Sequence, residues 1–328
     1  MTKYVIKRIL LALLILFSVS IILYVLVRCM PANFIEDKYR ASHPTFVQEE
    51  LDRVLAIYGL QDNSFGGIMK GYFKWLGNAL KGDFGNSFRT NTPVSKEIFK
   101  NMGVSFAIAL ISLVLELIIA IPLGVKCACN QYGKLDYTAT VLCMIGMAFP
   151  TFFLGNLFIK WFALDLGWFP VTGLIDMGLT TTNFFVRLGS MLHHLVIPLV
   201  VLVILNIGPY MRYMRTNTLE VLNADYIRTA RANGLSERKV IYKHVFRNTM
   251  IPLVTLLSTT LPMLFGGAMI TETIFGIPGI GQSAYLALRE GDIPFVMGYN
   301  MFIAVLTVVG VLLADFMYMV VDPRVKLK

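Results

Sequence analysis

The sequence predicts an all-α, polytopic membrane protein with six transmembrane helices. Three observations lead there. Only 15% of its 328 residues are charged while 56% are hydrophobic, and the mean hydropathy is +0.67. A typical soluble domain carries about 25% charged residues. Four uncharged runs are each long enough to cross a bilayer: Ile9–Val27, Tyr137–Ile159, Asn248–Thr271 and Ile293–Ala314. Basic residues alternate from side to side of these runs in the way that membrane orientation requires.

A span needs roughly 20 apolar residues at about 1.5 Å each. Ile9–Val27 meets this and exceeds the core of a secretory signal, and Arg28-Cys29-Met30-Pro31 offers no small-residue cleavage pattern. It is expected to remain as an anchor. Asn101–Val125 is a second span, apolar except for Glu116, and His193–Met211 a fourth, interrupted by Pro198 and Pro209. A membrane helix tolerates such prolines where neighbouring groups satisfy the freed backbone. A β-barrel is excluded, because its segments are about ten residues long and alternate in polarity.

With the N-terminus inside, the cytoplasmic segments are Met1–Arg8, Lys126–Asp136, Arg212–Arg247 and Val321–Lys328, holding 3, 2, 8 and 3 basic residues. Both termini are therefore expected in the cytoplasm of a bacterial-type plasma (inner) membrane. The net charge of +9 is explained by this bias and by contact with membrane lipid, not by nucleic acid. The four cysteines include a Cys127-Ala-Cys129 pair that lacks the second ligand pair of a metal site, so no metal is expected.

Three regions follow: residues 1–30 with the first span, an external segment at 31–100, and a five-helix core at 101–328. The external segment should form a helix capped by Thr45 and ended by Gly59, then a second from Gly67 through Leu80 to Gly82 whose aromatics suit the membrane boundary. The turn that follows contains Asp83 and Gly85. The segment either covers the outer ends of the spans or forms a docking surface and gate. Between the last two spans, Phe275-Gly-Ile-Pro278-Gly279-Ile-Gly281 is too apolar for a free loop and should cap the external mouth, followed by a short helix at Gln282–Arg289.

The core's densest charge lies in the internal loop 210–250. Leu219, Leu222, Tyr226 and Ala230 recur at helical spacing, with Asp225, Arg228 and Arg231 off that line and Gly234 as terminator. Ser236 can cap a second helix bearing Val240, Ile241, His244 and Val245. Such a hairpin either shields the ends of the bundle or serves as a stiff lever for a motor outside the bilayer. The chain has no phosphate-binding glycine loop, so any nucleotide machinery is expected elsewhere.

Asp225-Tyr226-Ile227-Arg228-Thr229-Ala230-Arg231-Ala232-Asn233-Gly234-Leu235, with Ile251-Pro252 downstream, resembles the Glu-Ala-Ala…Gly…Leu-Pro loop of binding-protein-dependent ABC transporter permeases. More narrowly it is similar to the dipeptide/oligopeptide (and nickel) permeases of the B-component type. Asn233 stands where lysine is common and Ile251 where leucine is usual. Lys7-Arg8-Ile9, Tyr58-Gly59-Leu60, Tyr72…Trp75-Leu76, Gly82–Ser87 with Pro93-Val94, His194–Pro198, Phe275–Gly281 and the ending Asp315…Val321–Arg324 extend the resemblance along the whole chain.

The resemblance implies a six-span type I importer fold and a permease subunit importing di- or oligopeptides. The implied partners are a second, homologous permease, two cytoplasmic ATPase subunits that bind ATP and Mg, and an external solute-binding protein. No catalytic site or cofactor is implied on this chain. Asp225, Tyr226, Arg228, Thr229, Ala230, Arg231, Gly234 and Leu235 would form the coupling region. Nickel or another small solute is the alternative cargo, and an ion-coupled carrier the alternative class, which predicts two repeated halves that the sequence does not display. Glu116 sits where a carboxylate costs a few kcal/mol, so it serves helix packing, the transport path or ion coupling. Asn206 serves packing or path. Glu272 and Asp315 are expected to anchor the chain at opposite membrane borders.

Overall fold

The computed structural model describes residues 2–29, 52, 64–260 and 264–321. The helix expected at Thr45–Gly59 and the ending at Asp322–Arg324 lie outside the described residues. Among those described there is no β-strand, only an isolated bridge between Asn86 and Pro93.

Helix α1 (Thr2–Arg28) is apolar over nearly its whole circumference and exposes most of it, as a lipid-facing helix does. At its C-terminal end Tyr24 and Val27 pack with Tyr72 and Trp75 of α2 (Phe65–Leu80), a helix capped by Ser64, whose hydroxyl accepts from Gly67 N. Helix α3 (Val94–Cys129) is one 36-residue span that bears Glu116.

The third apolar run does not form one straight helix. α4 (Lys134–Ala148) and α5 (Thr151–Phe158), which continues as a π-helical segment (Ile159–Asp165), meet at 98° across Phe149-Pro150. Pro150 disfavours helical backbone at the residue before it, and Phe149 is accordingly extended at φ −76°, ψ 134°. Helix α6 (Phe184–Leu222) runs unbroken for 39 residues through Pro198 and Pro209.

α6 packs most extensively on α3 and also on α4. Two glycines permit this: a Cβ on Gly124 would lie 2.7 Å from Met211 O, and one on Gly146 2.7 Å from Ile204 O. Small residues at such crossings let backbones approach closely in a membrane, where dispersion takes the place of the hydrophobic drive.

After α6 come α7 (Asp225–Ala232), a single turn at Glu237–Lys239, a π-helical segment (Val240–Val245) and α8 (Phe246–Thr260). Then follow α9 (Met269–Ile274), α10 (Ile280–Glu290) and α11 (Ile293–Val321), which packs on α1 and α8. Four described helices are long and apolar enough to cross a membrane, and the bent α4–α5 pair makes up to five. The fifth expected span, Asn248–Thr271, is divided: α8 carries its first part, and Gly267 (φ +77°) turns the chain before α9.

Candidate functional site: the inner projection and the outer mouth

The charged projection at 210–250, expected on the inner side, is built on α7. Asn223 and Ala224 interrupt the helix after Leu222, and Ala224 is extended, so the helical phase restarts at Asp225. As a result Ile227 and Ala230, not Tyr226, face inward. They pack with Val240 and Val245, and with Val221, Leu222 and Leu235 at the edge. The expected line through Leu219, Leu222, Tyr226 and Ala230 is corrected here, since Tyr226 is 49% exposed.

The inward residues Val240 and Val245 are five apart, the hydrogen-bond spacing of the π-helical segment that carries them. Ile241 and His244, expected on the same side, are only half-buried. Ser236 holds the extended conformation of a cap residue, but its side chain makes no capping bond; Val240 N donates to its carbonyl instead.

Gly234 has φ +77°, Gly234 N donates to Arg231 O, and Leu235 N to Ala230 O, a left-handed helix stop. The outward face carries Asp225, Tyr226, Arg228, Thr229 and Arg231. Arg231 reaches Glu237 at 2.7 Å, Arg228 lies 3.6 Å from Asp225, and Thr229 Oγ1 donates to Asp225 O. These exposed pairs contribute little to stability; they set the pattern of charge that the projection presents.

Within the span region, Ser112 Oγ donates to Glu116 at 2.7 Å, and Asn206 of α6 lies near the same carboxylate. Glu116 is buried, whereas Asn206 is exposed on the surface of the chain. The two polar candidates thus meet across the α3–α6 crossing.

At the outer mouth, Asp83 Oδ1 accepts from Gly85 N, and Gly85 (φ +79°) directs its carbonyl to Val94 N. Phe275 is buried among Leu195, Ile197 and Leu199 of α6, and its carbonyl accepts from Gly173 N. Pro278 is exposed and Gly279 buried.

Two carboxylates organise this end. Glu272, expected as a border anchor, is 1% exposed: Oε1 accepts from Ala268 N and Oε2 from Gln282 N, each at 3.0 Å. A Cβ on Gly279 would collide with that carboxylate and with Ser105 Oγ, which accepts from Ile280 N at 2.8 Å. The Gly-rich loop is therefore wrapped around Glu272 and pinned to α3.

Asp292 accepts from Ser87 Oγ, from Arg89 N and from Phe295 N, so it caps α11 while holding the Gly82–Pro93 loop. Arg89 also pairs with buried Glu97 at 2.6 Å. The Phe275–Gly279 loop is thus organised on Glu272 and the loop that follows Asp83 and Gly85 on Asp292, at the two ends of α10. Asp292 was discernible as a cap from its place before Ile293-Pro294; Glu272 gave no local signal. Asp315, the other expected anchor, pairs with Arg8 of α1 at 3.1 Å.

Residues 120–327 match the family described as binding-protein-dependent transport system inner membrane component. The chain belongs to this family. Among similar proteins, the oligopeptide transport system permease protein AppB of Bacillus subtilis is 38% identical over 99% of this chain and 100% of its own. A putative peptide permease protein of Brucella suis biovar 1 is 34% identical over 99% of both. The dipeptide transport system permease protein DppB of Alkalihalophilus pseudofirmus is 30% identical over 99% of this chain and all of its own.

A solved structure of the MetNI methionine ABC transporter, in an inward-facing conformation, aligns with 68% of this permease and 94% of that chain (TM-score 0.50, 19% identity). The permease therefore has the type I importer fold and is a multi-pass inner-membrane subunit of an ABC transporter complex.

Proposed function

We propose that this permease forms half of the transmembrane path of an ATP-driven importer of di- and oligopeptides. The observation that carries the reading is the end-to-end similarity to AppB, an oligopeptide transport permease, with DppB supporting the same substrate class. Its partners are a second, homologous permease, two cytoplasmic ATPase subunits that bind ATP and Mg, and an external solute-binding protein. The chain has no catalytic site or cofactor of its own. Both termini lie in the cytoplasm, as the clustering of basic residues in 212–247 supports.

In this reading α7 is the coupling element. Its inward residues Ile227 and Ala230 fix it to the chain, and its outward Tyr226, Arg228, Thr229 and Arg231 meet the ATPase. ATP binding and hydrolysis by the partners favour one state of the bundle over the other, which shifts access to the path from one side to the other. The Glu116–Asn206 contact holds α3 to α6, and the loops gathered on Glu272 and Asp292 form the outer gate.

Reconstitution into vesicles tests this. With its partners, the permease should take up radiolabelled tri- and tetrapeptides only when ATP is inside and loaded binding protein outside. Uptake by this chain alone, driven by an ion gradient, would overturn the reading. Competition with a nickel chelate that matches competition with peptide would overturn the substrate class.

A further inference from the structure

Helices α1, α2, α3 and α11 enclose a groove of about 520 Å³, a volume ordinary for a small-molecule site. Leu16 and Phe17, Leu76, Ile98 and Phe99, and Met301 line it, one or two from each helix. α1 is fastened beyond both ends of the groove, by Arg8 to Asp315 at one and by Tyr24 to Tyr72 and Trp75 at the other.

The interior is apolar. Ser20 within it already shares a hydrogen bond with Tyr72 at 2.8 Å, and the other hydroxyl, Ser95, sits at the first turn of α3. Leu80, Phe99 and Val305 on its rim are exposed, so the groove opens on the apolar outer surface that these helices present to lipid. In hydrocarbon no water is available to occupy such a groove, and a flexible chain laid along it gains dispersion contacts on several sides.

The end nearest the Gly82–Pro93 loop is basic. Lys81 follows Leu80, Lys96 follows Ser95, and Lys100 follows Phe99; all three are exposed. A lysine keeps its stem on apolar surface while its ammonium reaches the headgroup level. We propose that this groove holds one acyl chain of an anionic phospholipid, whose phosphate is met by Lys81, Lys96 and Lys100. The lipid would fill the seam between α1 and the rest of the bundle. The inference rests on the membrane-spanning fold and not on the cargo.

The test uses the assembled transporter in nanodiscs with a phosphatidylglycerol probe that carries a photoreactive group on one acyl chain. Cross-links should concentrate on peptides containing Phe17, Leu76 or Phe99, above those containing Leu10 and Leu14, which are exposed on α1 outside the groove. Lys81→Gln, Lys96→Gln and Lys100→Gln, being surface changes, should leave assembly intact and weaken labelling by about fivefold per lysine. Ala79→Trp, which fills the groove, should abolish it at unchanged complex yield. Labelling no stronger at Phe17 than at Leu14, or equal labelling by a phosphatidylcholine probe, overturns the proposal. So does a disulfide between Phe99→Cys and a cysteine placed in the second permease, which would show that a protein helix occupies the seam.

Discussion

Both carboxylate oxygens of Asp136 bind the guanidinium of Arg215: Nε donates to Oδ1 at 2.6 Å and Nη2 to Oδ2 at 2.7 Å. The pair joins the first turn of α4 to α6 shortly before α7 begins. Asp136 Oδ2 also accepts from Tyr132 N, and Gly124 of α3 packs against the backbone of Arg215 in the same place. Three helices are therefore tied together immediately above the inner projection.

Removing one partner of this pair should cost more than removing both. Arg215→Met leaves the Asp136 carboxylate, 5% exposed, without its cation. A fully buried pair broken in this way loses about 3–5 kcal/mol, and the partial exposure of Arg215 reduces that. Asp136→Leu combined with Arg215→Met should recover part of the loss. Thermal unfolding of the purified complex measures it, and a wild-type midpoint in Arg215→Met would remove any stabilising role.

Gly234→Val should abolish uptake and co-purification with the ATPase. No atom stands within 4 Å of its missing Cβ, so the penalty comes from φ +77° alone, about 1–2 kcal/mol for an ordinary residue and more for a β-branched one. Gly234→Asn should retain most of the binding, because asparagine tolerates that conformation. Ala230→Glu should fail as Val does, since it drives a charge between Ile227 and Val240. Undiminished ATPase binding by the Val and Glu variants would refute the coupling assignment.

Glu116→Gln keeps a polar partner for Ser112 and Asn206 and should insert and transport nearly normally. Glu116→Leu removes that partner and should lower the yield of assembled complex without altering peptide preference. Uptake of peptides with free and with blocked N-termini distinguishes the roles. A changed preference in the Gln variant would assign Glu116 to the path instead.

Glu272→Gln places an amide NH₂ where one of two backbone donors now points. An unsatisfied buried donor costs about 1–3 kcal/mol, so the outer loop should become sensitive to protease near Phe275–Gly281. Gly279→Ala should act alike by a different route, since its Cβ would displace Glu272 and Ser105. Limited proteolysis in right-side-out vesicles reads both. Unchanged cleavage in both variants would show that the carboxylate does not organise this loop.

The fold was largely legible in the sequence, because a hydrocarbon solvent leaves apolar length as the dominant signal. What escaped notice was local. One proline, Pro150, turned an uncharged run into two helices at 98°, and uncharged length alone cannot reveal a bend. Helical spacing carried from Leu222 puts Tyr226 on the wrong face, because the break at Asn223-Ala224 resets the phase before Asp225. At the outer mouth the loops were recognisable from glycine and proline spacing, but their tie was not. Ser87 and Asp292 are far apart in sequence, and only the fold brings them together. Depth alone points Glu272 to the membrane border; the backbone N–H groups of Ala268 and Gln282 that bury it are brought to it only by the folded loop.

Helix α6 has 39 residues, about 58 Å at the usual rise per residue, whereas a bilayer with its headgroups is about 40–45 Å thick. Even tilted by about 20°, the rod overshoots the membrane by roughly a helical diameter. Only two residues separate α7 from the end of this rod, so overshoot on that side lifts it away from the bilayer. In the proposed coupling role, an ATPase that grips α7 would work clear of the crowded headgroup layer, its approach unobstructed by the lipids that surround the bundle.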